Sequence, residues 1–145
     1  MGVNIKNAEG YYDPTTFEAL TNIEKERKQK EYDLNKFRPL VYICSPFSGD
    51  VEKNVEAAKK YSRAAVDKGY IPITPHLLYP RFLDDNIEDE RALGLLFGKV
   101  LLDKCDQIWV CGNTVSEGMK AEIERAERKR YIIRYFTSNM TEVKQ

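Results

Sequence analysis

Leu40-Val41-Tyr42-Ile43-Cys44-Ser45-Pro46-Phe47-Ser48-Gly49-Asp50 decides the fold. Its first five residues form a short apolar run, which reads as a strand buried on both faces. The Ser-Pro-Phe-Ser-Gly-Asp that follows breaks it. A helix is expected from about Val51 to Lys68, because Val51, Val55, Ala58, the small Ser62 and Ala65 recur at helical spacing. Gly69 closes that helix, as a residue able to take positive φ. Tyr70-Ile71-Pro72-Ile73-Thr74 is then a second strand, and Pro72 pushes it toward an edge.

Downstream the alternation repeats. Pro75 to Asp85 reads as a loop. Ile87 to Lys104 reads as a helix whose apolar face is Leu93, Leu96, Phe97, Val100 and Leu101. Gln107 to Cys111 is a third strand, Gly112 to Val115 a turn, Ser116 to Arg128 a helix and Tyr131 to Phe136 a fourth strand. Short buried strands alternating with amphipathic helices imply a parallel sheet with helices on both faces. Upstream, Asp13 caps and Pro14 opens a helix to about Glu31. Its stripe is Phe17, Leu20 and Ile23, and beyond Glu24 it is almost wholly charged. Mixed-sign charge reads as an exposed face, with a partner-binding arm as the other possibility. The domains expected are residues 1–36, a helical extension; 37–137, the α/β domain; and 138–145, a polar tail.

The chain has 145 residues, the size of one domain with an appendage. Its 23 basic and 23 acidic residues cancel, which disfavours a general nucleic-acid binder. No apolar run is long enough to span a membrane, and MGVNIKNAEG lacks the apolar core of a signal peptide. Lys6 stands where a myristoylation motif needs Ser or Thr. Cys44, Cys105 and Cys111 form no CxxC pair, so free buried thiols in a reducing cytoplasm are expected.

In a parallel sheet, ligands bind at the C-terminal strand ends, here the loops 45–50, 74–85 and 112–118. The first loop leads into a helix N-terminus, whose free amides attract anions, and Ser48 and Gly49 allow close approach. It is not a P-loop, because GxxxxGK[ST] is absent. Asp50 serves equally as a plain helix cap. The second loop carries the single histidine, His76, either a proton shuttle or hydrogen-bond donor or a structural residue bonded to backbone. In the third, Ser116 caps a helix and Gly118 clears space beside it. Glu122 shares the face of Gly118, although from spacing alone it also matches an exposed helix glutamate. The acidic run Asp84 to Glu90 is ordinary at a helix start and lacks the pattern of an EF-hand. One histidine and scattered acids make a poor transition-metal site. No metal and no cofactor is expected.

VYICSPFSGD (41–50), YIPITPH (70–76), ERALGL (90–95), LLDKCDQIWVCG (101–112) and SEGMKAEIERA (116–126) together resemble the nucleoside 2-deoxyribosyltransferase-like superfamily. The nearest likeness is to its small bacterial and phage branch, related to the 2′-deoxynucleoside 5′-monophosphate N-glycosidases. The resemblance spans about two-thirds of the chain, roughly residues 39–136. It implies a doubly wound, Rossmann- or flavodoxin-like sheet of four to five strands. It implies cleavage of an N-glycosidic bond, with sugar transfer to another base or to water. The superfamily signature Ser-x-Gly-x-x-x-Glu is matched by Ser116, Gly118 and Glu122, which makes Glu122 the implied nucleophile. Tyr42 and His76 match its strand-one tyrosine and the histidine after strand two. Ser45, Ser48, Gly49, Asp50, Ser116, Gly118 and Met119 are the implied sugar and 5′-phosphate contacts. The superfamily often supplies a second acid from the helix before strand three. Phe97, Gly98 and Lys99 stand there instead, which leaves Asp85 and Glu90 as candidates. A homo-oligomer is implied, for which Tyr79, Phe82 and Tyr135 are interface candidates.

Three functions follow for test. One is an N-glycosidase or deoxyribosyltransferase acting on a small nucleoside or nucleotide. The second is a non-catalytic protein, phage-encoded as members of that branch can be, that sequesters a cyclic or ADP-ribose-type nucleotide signal. The third is a scaffold assembled through the N-terminal helix. None calls for a nucleic-acid polymer or a membrane.

Overall fold

In the computed structural model the described residues are 14–144, with side chains described from residue 19 onward. They fall into two compact units that divide between Phe37 and Arg38. The first holds helix α1 (Pro14–Asn35). It runs past the expected end at Glu31. Gln29 Nε2 donates to Asp33 Oδ1 at 3.0 Å and Asn35 Nδ2 to the Glu31 carbonyl at 2.9 Å, and both bonds support the last turns. Its charged stretch is exposed, and so are Leu20 and Ile23. The expected cap Asp13 and the side chain of Phe17 lie outside the described residues.

The second unit runs β1 (Leu40–Cys44), α2 (Val51–Asp67), β2 (Ile71–Ile73), α3 (Glu88–Lys104), β3 (Gln107–Cys111), α4 (Glu117–Arg128), β4 (Ile132–Phe136) and β5 (Glu142–Val143). Two single-turn 3-10 helices, Pro75–Leu77 and Tyr79–Arg81, fill the loop before α3. The sheet order is β2-β1-β3-β4-β5. The first four strands are parallel and β5 is antiparallel to β4. This is the expected α/β, Rossmann- or flavodoxin-like architecture, and Pro72 does sit on an edge strand. β5 lies inside the stretch read as a polar tail. A two-residue strand carries no periodic signal. What holds it is Arg134, whose Nε and Nη2 grip the Glu142 carboxylate at 2.9 and 2.7 Å.

Side chains of β1 and β3 alternate between two cores. Tyr42, Cys44, Ile108 and Val110 face Leu102 of α3 and Met119 and Ala126 of α4. Val41, Ile43, Trp109 and Cys111 face Tyr61 and Ala65 of α2. Burial on both faces explains why these strands read as unbroken apolar runs. Gly69 takes φ +91° and ends α2 as expected.

α3 departs from the sequence reading. Leu93, Leu96 and Val100, expected on its buried face, are exposed; the buried residues are Gly98 and Leu102. α3 is apolar nearly all round, so its periodicity does not choose a face. The sheet takes the small-residue side, because the Tyr42 hydroxyl needs the room: a Cβ on Gly98 would lie 3.4 Å from Tyr42 Oη.

Candidate functional site

The strand order reverses between β1 and β3, and α4 leaves the end of β3 beside that switch. Three side chains converge there. Tyr42 Oη, from β1, donates to Glu122 Oε1, from the second turn of α4, at 3.0 Å. The Cys44 thiol, two residues along β1 on the same face, also hydrogen-bonds Glu122, and its sulfur lies 3.9 Å from the Met119 carbonyl. Burial pushes the Glu122 carboxyl above its ordinary value, and the bonds from Cys44 and Tyr42 pull it back. Burial and the neighbouring carboxylate push the Tyr42 hydroxyl far up and the Cys44 thiol well up. Both therefore stay protonated and act as donors. A half-buried carboxylate held by two neutral donors is oriented but not neutralised, the condition of a nucleophile or of a stabiliser of nearby positive charge.

Ser116 caps α4: its hydroxyl accepts from the Met119 N–H at 3.3 Å, and the Met119 sulfur accepts from the Ser116 N–H at 3.4 Å. This is a capping box closed by a thioether instead of a carboxylate. Met119, expected among the ligand contacts, has its side chain in the core at 2% exposure. Gly118 is open: a Cβ there would meet nothing within 4 Å.

In the β1–α2 loop, Asp50 Oδ1 accepts from the Lys53 N–H at 3.3 Å, so a carboxylate already sits on the α2 amides. Asn54 Nδ2 donates to the carbonyls of Phe47 and Ser48 at 2.9 and 3.0 Å and fixes the loop. Gly49 adopts φ +98°, which favours glycine. Ser48 and Gly49 are exposed. Ser45 is buried, and among the described residues its hydroxyl is the buried side-chain oxygen without a hydrogen-bond partner. His76 hydrogen-bonds the Ser45 backbone and stacks on Phe47 at 4.8 Å. Burial lowers its pKa, so its ring is the neutral form.

Asp85 and Glu90 line an open cleft of about 340 Å³ with Pro80–Asp84. Glu122 is not part of its lining. Glu90 Oε1 accepts from the Asp84 N–H at 3.4 Å, and the Asp85 charge acts on His76. The acids nearer β3 are structural. Asp103 binds Arg125 at 2.6 and 2.8 Å and Lys129 at 2.9 Å, and Asp106 accepts from the Leu40 N–H at 2.8 Å. The structure thus joins Tyr42 to Glu122 and His76 to Ser45, and sets Asp85 and Glu90 together in the cleft before α3, with the Asp85 charge felt at His76. Sequence reasoning missed Cys44, Gly98 and Asn54. Only Cys44 carried a signal: it lies two residues from Tyr42 on the same strand, which puts both on one face.

Among the described residues no group of three or more His, Cys, Asp or Glu is placed to hold a metal ion. No helix among them is long and apolar enough to cross a membrane. All three cysteines are free and buried, and burial raises Cys105 and Cys111 to about 12.

No curated protein matches the chain. Among solved structures it is similar to the 2-deoxyribosyltransferase of Bacillus psychrosaccharolyticus, with a TM-score of 0.59 at 14% identity over 73% of this chain and 77% of that one. A 2-deoxyribosyltransferase from Leishmania mexicana gives 0.46 at 15% identity over 68% and 64%. The first likeness, at that identity, is one of fold: the chain has a distant nucleoside deoxyribosyltransferase-like fold. Residues 39–136, which hold the parallel strands and the three helices between them, match a domain of unknown function, DUF7768, and the chain belongs to that family.

Proposed function

We propose that the chain cleaves or transfers the N-glycosidic bond of a nucleoside or nucleotide, with Glu122 as nucleophile at the anomeric carbon. The observation that carries this reading is the 3.0 Å bond from Tyr42 to a half-buried Glu122 beside the β1/β3 switch. In this reading a Glu122 oxygen bonds to C1′ as the C1′–N bond breaks. The bond pair leaves on the base nitrogen, which takes a proton from an acid. A second base nitrogen or a water then attacks C1′, gives up its proton and frees the carboxylate. The charge on the sugar is oxocarbenium-like in both steps, and a carboxylate is suited to it.

Ser116, Gly118 and the 45–50 loop form the proposed seat for the 5′ end of the substrate. Because Asp50 already caps α2, a 5′-phosphate rests mainly on the α4 end. The Ser45 hydroxyl is the buried polar group without a partner at the head of this loop, and His76 positions the loop. Asp85 and Glu90 are the candidate acids, and the enzyme self-associates in a reducing cytoplasm.

The test is incubation with a panel of 2′-deoxynucleosides, their 5′-monophosphates and NAD-type dinucleotides, with free base followed by chromatography. Release by the wild type and not by Glu122→Ala supports the reading. Release that survives Glu122→Ala, or no release from any member, overturns it.

One observation favours a second reading: Gly98 faces Tyr42, where the superfamily often places its acid. A chain with no acid at the leaving base binds a nucleotide, such as a cyclic or ADP-ribose-type signal, without turning it over. That reading predicts a ligand-induced rise in melting temperature that persists in part in Glu122→Ala.

A further inference from the structure

The loop between β3 and α4 is tied to the turn between β4 and β5. Asn113 Nδ2 donates to Ser138 Oγ at 3.0 Å, and the Ser138 N–H donates to Asn113 Oδ1 at 3.2 Å. Both ends of one amide are spent on one residue 25 positions away. From Gly112 to Ser116 the chain has no regular structure, yet it must turn from β3 into the start of α4. Gly112 begins that turn with φ +109°, and its N–H donates to the Phe136 carbonyl at 3.1 Å. Asn113 supplies the next fixed point, shortly before the Ser116 cap.

The turn that receives Asn113 closes on its own. The Thr137 N–H donates to the Thr141 carbonyl and the Met140 N–H to the Thr137 carbonyl, both at 2.9 Å. Thr137 Oγ1 accepts from the Asn139 and Thr141 N–H groups at 3.3 and 3.2 Å. Met140 takes φ +60°, a left-handed conformation uncommon outside glycine, and packs on the core of Trp109 and Phe136. These bonds hold Ser138 without help from Asn113, so the dependence runs from turn to loop. The two bonds of Asn113 are exposed. Water replaces an exposed bond at little cost in stability, so what this pair contributes is the conformation of the loop. Ser138 also lies beyond residues 39–136, so the family match does not account for the pair.

We propose that Asn113 and Ser138 are positioning residues for the 5′ end of the substrate: the turn after β4 holds the β3–α4 loop, and so Ser116, in its binding conformation before a ligand arrives. A seat set in advance spares the ligand the cost of ordering it. This rests on the Ser116 seat proposed above.

Calorimetric titration of the full chain with the common 2′-deoxynucleoside 5′-monophosphates, and with the matching nucleosides, tests it. A Glu122→Gln background removes the proposed nucleophile and so prevents turnover. Asn113→Ala should weaken monophosphate binding about five- to tenfold, as the competent loop becomes a minor population, and leave nucleoside binding nearly unchanged. Its melting temperature should stay within a few degrees of the parent, and amide exchange over residues 112–116 should quicken. Ser138→Ala keeps the backbone bond to Asn113 and should cost less, and Ser138→Thr should restore the parent's affinity. Asn139→Ala, on the same turn, should bind as the parent does. Adding Ser138→Ala to Asn113→Ala should cost nothing more, because the two act through each other. Equal losses for monophosphate and nucleoside, an unchanged monophosphate affinity, or a further loss in the double variant overturns the proposal. A parent that binds the monophosphate no better than the nucleoside overturns the seat itself, and the role of the pair with it. A parent that prefers the monophosphate, with every variant like it, overturns the pair alone.

Discussion

Tyr42 reaches across from the middle of β1 to bond the Glu122 carboxylate at 3.0 Å, although 80 residues separate them in sequence. Gly98 makes the bond possible by leaving the Tyr42 hydroxyl its space. Burial raises the pKa of Glu122 and hydrogen bonds lower it, so changing a donor should move its titration in a known direction.

Tyr42→Phe removes one donor and keeps the ring in the core. A hydrogen bond to a charged group contributes about 1.5–3 kcal/mol, which corresponds to roughly one to two pH units. The Glu122 pKa should rise, and the acidic limb of the kcat/KM profile should move to higher pH by about that amount. Cys44→Ala should move it in the same direction, and Cys44→Ser should restore it. A limb unmoved by both substitutions would show that neither group supports the carboxylate.

Gly98→Ala separates the fold from the site. Alanine in a helix interior favours folding by up to about 1 kcal/mol, but its Cβ would press on Tyr42 Oη at 3.4 Å. The expected result is a melting temperature within a few degrees of wild type with base release reduced about tenfold or more. Equal activity would mean that the tyrosine need not hold its position.

The alternation from β1 to β4 was legible because strands buried on both faces must be continuously apolar, and Gly69 and Pro72 marked an end and an edge. The site was legible only as far as residue types go. Tyr42 and Glu122 could be picked out singly, but nothing local says that one donates to the other. Gly98 could not be found, because a glycine chosen for the space above it has no pattern of its own. α3 was misjudged for a related reason. With apolar residues on two sides, the choice of buried face depends on Tyr42, which is distant in sequence.

Glu122→Gln tests burial of the charge. The folded-state pKa of Glu122 lies above its unfolded value, so the wild-type carboxyl favours folding when protonated, and this contribution is lost as pH rises through the folded value. The glutamine variant carries no such loss. Its melting temperature relative to wild type should therefore increase from about pH 4 toward neutrality and then level off. A difference that shrinks with rising pH would place Glu122 in a solvated or cation-paired setting.

Asp103 has the opposite sign. Its hydrogen bonds to Arg125 and Lys129 hold its carboxyl well below the ordinary value. The stability it contributes is present above the unfolded value and lost as pH falls toward the folded one. Asp103→Asn should lower the urea midpoint by a constant amount between pH 8 and 5, and the gap should narrow only below about pH 4.

Ser116 has two roles in this reading, and two substitutions separate them. Ser116→Ala removes the cap, costing about 1 kcal/mol of stability, and removes a hydroxyl offered to a 5′-phosphate. Ser116→Asp keeps a side chain that caps α4, but sets a negative charge where the phosphate is proposed to rest. If the α4 terminus holds a phosphate, the aspartate variant should melt near wild type and bind nucleoside monophosphate far more weakly, while its affinity for the free nucleoside changes little. Ser116→Ala should fall between the two for the monophosphate. A loss below roughly threefold in either variant is smaller than a charged hydrogen bond should cost, and it would assign Ser116 to the cap alone, with the 5′ end of the substrate left to Ser45, Ser48 and Gly49.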